Sequence, residues 1–225
     1  MAILKRVRLW VTELIKIIRS YYFCFKYLPY EQAKKMPIFL DVPIKVYDLQ
    51  KGRMMITGNV KSRQIWFGQG VAGLANKPTC IEVQNGGTVV FNGSAHFSKG
   101  CVIRVDSGAK LSIGDMVGIN CNCFIRCGKS ITLGQGLLMG WNNEISDSDG
   151  HDVWVDGALQ DNCKPISIGK HVWITSYVKI GKGVDIADNC IVAKGAVVTR
   201  DFHLPNTLIG GVPAKTICTN IDWKK

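Results

Sequence analysis

The stretch Ser146-Asp147-Ser148-Asp149-Gly150-His151 places an imidazole next to two carboxylates. A histidine titrates near neutral pH and can take a proton from a hydroxyl, and a nearby carboxylate can fix its ring. His151 is therefore the candidate general base, with Asp147 and Asp149 as candidate orienting acids. The plain alternative is a solvated polar loop. The other histidines are His96 and His171, inside the repeating region described next, and His203 beyond it. They show no spacing that would set several imidazoles around one zinc ion. Cys121, Cys123 and Cys127 are close in sequence, but no second pair completes a zinc site, and they read as packed or exposed thiols. No metal is expected.

The element that must position His151 is a repeat. Aliphatic residues fall on every sixth position at Ile168, Ile174, Ile180, Ile186, Val192 and Val198. A second set follows the first by four: Val172, Val178, Val184, Cys190 and Ala196. Chance gives six such matches on the order of once in a thousand or less. Six residues make one flat side and a corner, so coils stack and their inward residues form one core. The register recurs at Ile113, Ile119 and Ile125, and at Leu133, Met139 and Ile145. Gly or Asn at corners supplies the positive φ of tight turns. A β-sandwich is the alternative, but its strands hold no six-residue register. The reading is all-β, a parallel β-helix, and the register breaks after Ile145 to admit a protruding loop over 146–165. Inserted loops of repeat folds often carry function.

Composition narrows the setting. The chain has 225 residues, 47% of them hydrophobic, enough for one elongated domain with an appendage. No run of 18 or more uncharged apolar residues marks a membrane span, and no cleavage pattern of a signal peptide follows the basic start. Nine cysteines is an odd count for a disulfide framework, and a reducing cytoplasm fits. Residues 3 to 28 read as an amphipathic helix. Ile3, Leu4, Val7, Val11, Leu14, Ile18, Tyr22 and Phe25 lie on one face, and Lys5, Arg8, Thr12, Lys16 and Arg19 on the other. Lys5 to Lys35 carries net +6 of the formal +11. Such a helix can lie on an anionic membrane, or pack on the β-helix or on a neighbouring subunit and cap an open coil end. No nucleic-acid module accompanies the charge, so no nucleic acid is expected.

The ordered motifs Gly169-Lys170-His171-Val172-Trp173-Ile174, Ile180-Gly181-Lys182-Gly183-Val184, Ala193-Lys194-Gly195-Ala196-Val197-Val198-Thr199-Arg200 and Gly211-Val212-Pro213-Ala214-Lys215 resemble the hexapeptide-repeat acyltransferases, in the branch that acetylates sugars and polysaccharides. The resemblance covers about residues 85 to 220 and implies a left-handed helix. It also implies a homotrimer with acetyl-CoA as donor and a loop histidine, His151, as base. The orienting acid stays open among Asp147, Asp149 and Glu144. On the acceptor side the resemblance implies Asn120, the first residue of Asn120-Cys121-Asn122, with Glu144 beside it. Arg126, Cys127 and Gly128 stand where the family often has acidic residues, which argues against a simple galactoside or maltose acceptor. On the donor side it implies Ser176, Lys194, Thr199, Arg200 and Lys215, whose cations suit phosphate groups.

The expected organisation is a basic helical segment over 1–36, a β-helix over 37–217 and a tail over 218–225. The expected function is acetyl transfer from acetyl-CoA to a saccharide hydroxyl in surface polysaccharide synthesis. The setting would be cytoplasmic, with peripheral contact at the inner membrane face through residues 1–35. The second reading is a non-catalytic β-helix scaffold. The acceptor stays open among a sugar nucleotide, a lipid-linked glycan and a free saccharide.

Overall fold

The computed structural model describes residues 2–69 and 77–224; Met1, residues 70–76, Lys225 and the side chains of residues 2 and 3 lie outside the description. The chain winds as a left-handed parallel β-helix. Among the described residues its strands form three sheets of nine, seven and six strands, one per side of a prism. The first coil uses Ile38–Leu40 on side one, Ile44–Tyr47 on side two and Met54–Ile56 on side three. Each later coil as far as Asp185–Ile186 adds one strand to each side in parallel register, for example Leu111 beside Ile131 and Ile131 beside Ile166.

The six-residue register is the core. Ile168, Ile174, Ile180, Ile186, Val192 and Val198 are all buried, as are Val172, Val178, Val184, Cys190 and Ala196. The upstream rows from Ile113 to Ile145 are buried too. Cys190 fills the narrow position as a small apolar group would. The corners between sides one and two use positive φ at Asn122, Asn142, Tyr177 and Gly195. Asn tolerates this conformation; Tyr177 does so at a cost.

Both open ends of the prism are closed. The helix expected over 3 to 28 spans Ala2–Tyr27 and is called α1. It covers the edge strand Ile38–Leu40, where the Leu40 amide donates to Ser20 Oγ at 2.9 Å. The docking face is not the long apolar arc. Ser20, Phe23, Cys24 and Tyr27 are buried, whereas Leu4, Val7, Val11, Leu14, Ile18 and Tyr22 are exposed. The Ile3 side chain lies outside the described residues. Gln32 then plays the part of a missing strand, donating to the Ile56 carbonyl at 2.7 Å and accepting its amide at 3.1 Å. Covering an edge in this way blocks strand addition by another chain.

At the far end Thr207–Gly211 pairs antiparallel with Ala214–Thr219. The division expected between 217 and 218 falls inside that strand. Trp223 is buried and stacks on His171 at 4.1 Å, which docks the tail at that residue.

Candidate active site

The loop over 146–165 leaves the prism at the corner between sides two and three, after Glu144–Ser146 and before Ile166–Ile168. It rises as a hairpin of Val153–Val155 against Ala158–Gln160, and every residue of those strands is exposed. His151 precedes the hairpin, is exposed, and makes no hydrogen bond or ion pair among the described residues.

The two carboxylates expected beside it have different fates. Asp149, two residues before His151, pairs with Lys182. Asp147 is fully buried. Its oxygens accept the backbone amides of Gly128, Lys129 (2.9 Å) and Ser130 (2.7 Å). Asp147, one of the three candidates for orienting the His151 ring, is thus engaged by backbone donors instead. A buried carboxylate must be satisfied by donors, and here the amides of the preceding coil supply them, fixing the root of the loop. Gly150, at φ +84, lets the chain pass over Arg126: a Cβ there would come within 2.8 Å of Arg126 Nη1. The other guanidinium nitrogens, Nε and Nη2, donate to Asp106 at 3.3 and 3.2 Å.

Side two forms the floor between the loop and the opposite corner. Alternate residues point outward, which stacks Phe124, Glu144 and Lys179 in one row and Arg104, Arg126 and Ser146 in the next. Glu144 lies 3.8 Å from Lys179 and borders a groove of about 430 Å³ shared with Lys77, Phe124 and Asn142. Asn120 sits at the corner between sides one and two, after Val117–Ile119 and before Phe124–Cys127, half-buried. One protomer therefore sets His151 at one edge of side two and Asn120 at the other.

The donor positions divide the same way. Ser176 and Lys194 repeat the Asn120 corner in later coils; Ser176 is buried, and Lys194 Nζ lies 5.5 Å over the Tyr177 ring. Thr199 and Arg200 are exposed at the His151 corner of the last full coil, with the Arg200 guanidinium 5.6 Å over Phe202. Lys215 is exposed in the terminal hairpin, opposite Gly210. These residues border two long edges of one side and do not close on a single pocket within the protomer.

The remaining candidates are structural. Cys121, Cys123 and Cys127 are buried and free. Burial, aided by the Asp147 charge, pushes the Cys127 thiol up to about 12, which makes it a poor nucleophile. His171 occupies a corner at φ 52 with Nδ1 3.2 Å from Asn189 Oδ1, and His203 lies 3.7 Å from Asp185 and from Asp201. Among the described residues no three His, Cys, Asp or Glu gather as metal ligands.

Asn143 was not singled out by spacing, yet it is a staple of the site. It is buried, donates to the carbonyls of Gly140 (2.9 Å) and Thr175 (2.6 Å), and accepts the Val178 amide at 2.7 Å. The doublet Asn142-Asn143 at a corner was the available signal, since one Asn takes the positive φ and the other bonds the next coil.

Known proteins share this architecture. A family model described as bacterial transferase hexapeptide (six repeats) matches residues 165–200. Nodulation protein L of Rhizobium meliloti (strain 1021) is 36% identical over 129 residues, which is 55% of this chain and 69% of that protein. Galactoside O-acetyltransferase of Escherichia coli (strain K12) is 36% identical over 114 residues, 49% of this chain and 54% of that one. The chain spans about half the length of several curated relatives it matches. The crystal structure of the polySia-specific acetyltransferase NeuO aligns with a TM-score of 0.53 at 22% identity, covering 84% of this chain and 79% of that one. The chain belongs to the hexapeptide-repeat transferase family.

Proposed function

We propose that the protein transfers an acetyl group from acetyl-CoA to a hydroxyl of a saccharide, with His151 as general base. The observation that carries this reading is the loop itself. It interrupts an otherwise regular core at one corner, is rooted there by Asp147, and carries an exposed imidazole at the edge of side two. A scaffold has no physical need for such a base.

In the proposed step neutral His151 takes the hydroxyl proton while the oxygen attacks the thioester carbonyl. Backbone N–H groups hold the oxyanion. Collapse breaks the C–S bond, and the coenzyme A thiolate leaves with the proton held by the imidazolium. Asp149 is the carboxylate proposed to steady the ring. Asn120 and Glu144 are proposed to contact the acceptor, and Ser176, Lys194, Thr199, Arg200 and Lys215 to hold the donor. The family relationship supports these roles, and the galactoside activity named for the Escherichia coli relative makes a sugar hydroxyl the acceptor of choice. A role in surface polysaccharide synthesis and peripheral contact with the inner membrane face through residues 1–35 belong to the same reading.

A homotrimer is proposed on the outward surface of side one. Leu138, Trp173, Ile191 and Leu208 form one stripe there, in register from coil to coil and half-exposed in the protomer. An apolar stripe of this length marks a contact surface, and threefold closure would bring the edge of one protomer to the loop of the next. The test is incubation with acetyl-CoA and a panel of sugar nucleotides, lipid-linked glycans and free saccharides, with thiol detection. Acceptor-dependent thiol release supports the enzyme; its absence with every acceptor, with no binding of coenzyme A, favours the scaffold.

A further inference from the structure

Helix α1 docks through the side opposite its long apolar arc. At about 100° per residue, Ser20, Phe23, Cys24 and Tyr27 gather on one side, and all four are buried against the first coil. Leu4, Val7, Val11, Leu14, Ile18 and Tyr22 gather on the opposite side and are between 50% and 76% exposed. Trp10 extends the same surface at 77% exposed. The body of the protein therefore leaves this apolar arc uncovered.

Charge says what would cover it. The helix carries Lys5, Arg6, Arg8, Lys16, Arg19 and Lys26 against one carboxylate, Glu13. Among the described residues only Lys16 of these is ion-paired, with Glu13 and with Asp41 at 2.7 Å. Arg8, Arg19 and Lys26 line one border of the arc and Arg6 the other. Two copies of the helix laid arc to arc would oppose these cations. An anionic lipid surface accepts them, and takes Trp and Tyr at its headgroup level. The arc also runs into a hollow of about 280 Å³ between α1 and the first coil. Tyr22, Phe23, Tyr27, Leu40 and Pro43 line it, with Arg19 at its border. An apolar cleft beside a guanidinium suits a lipid chain below an anionic headgroup. No described helix is long and apolar enough to cross a bilayer, so α1 would lie in the interface.

We infer that α1 is an interfacial anchor for anionic phospholipid, with the arc from Leu4 to Tyr22 in the membrane and the first coil held against its surface. This deepens the membrane contact of the reading above, and its test measures lipid binding alone, so it stands or falls apart from acetyl transfer. The full chain is floated with vesicles of phosphatidylcholine, with or without phosphatidylglycerol, beside the Leu14→Glu/Ile18→Glu double variant. Both side chains are exposed, so the variant should fold with unchanged melting temperature. Binding about tenfold or more stronger with phosphatidylglycerol, and lost in the variant, is the expected result. Absence of binding to either vesicle, or equal binding by the variant, overturns the inference. So does a fall in particle mass by light scattering in the variant, which would mean that a second copy covers the arc.

Discussion

The Asp147 carboxylate accepts the backbone amide of Ser130 at 2.7 Å. That bond, with those from Gly128 and Lys129, joins the root of the His151 loop to the coil before it. Asp147 thus places the loop, and His151 stands free at its rim.

Asp147→Ala should therefore act on stability first. It leaves three part-buried amides without an acceptor, at a cost of about 2 kcal/mol. In a domain of this size that lowers the melting temperature by about 4 °C or more. Thermal unfolding of the variant checks this; an unchanged melting temperature would show that the amides find other partners.

Tyr177 holds φ 63 at a corner where neighbouring coils place Asn142 and Gly195. A left-handed backbone costs most residues about 1–2 kcal/mol and Asn less. Its side chain is exposed, so little packing is at stake. Tyr177→Asn should match or exceed the wild type in chemical denaturation, and a clear loss of stability would assign the Tyr177 ring a packing role.

Asp115 caps the turn at Ser94, accepting the Ser94 amide at 2.6 Å and its hydroxyl at 2.8 Å. The Ser94 amide chiefly, then its hydroxyl, hold the carboxyl below the usual carboxylate range. Because the folded value lies below the unfolded one, the contribution is present above about pH 4 and is lost as pH falls through the folded value. Asp115→Asn should lower the melting temperature near neutrality and narrow the gap to wild type in acid. A gap that does not change with pH would contradict the assignment.

Trp223 stacks on His171, and its indole donates to the His171 carbonyl at 2.9 Å. Trp223→Ala should cost about 2–4 kcal/mol, near the range for buried aromatics. Denaturant unfolding measures it. A cost near zero would show that the Trp223 stacking contributes little to stability.

The repeat was legible because every sixth residue from Ile168 to Val198 must face one core, and each of them does. The loop was legible because it breaks that register after Ile145. The fate of Asp147 was not, since a carboxylate that holds amides and one that holds an imidazole look alike in sequence; only the neighbouring coil decides. The docking face of α1 was hidden for a related reason. Its apolar arc suggested packing, but Ser20 and Cys24, small enough to approach the edge strand Ile38–Leu40, take that role by bonding Leu40 and Ile38. The split of Asn120, Ser176 and Lys194 from His151, Thr199 and Arg200 follows from the corner each occupies, which a linear motif does not reveal.

The most direct test of the account is steady-state acetyl transfer by His151→Ala with the acceptor found in the screen. The side chain is exposed and holds nothing in place, so folding and coenzyme A binding should match the wild type. Loss of the general base should lower kcat by about 10² to 10⁴. A His151→Ala protein that keeps wild-type kcat would contradict the mechanism.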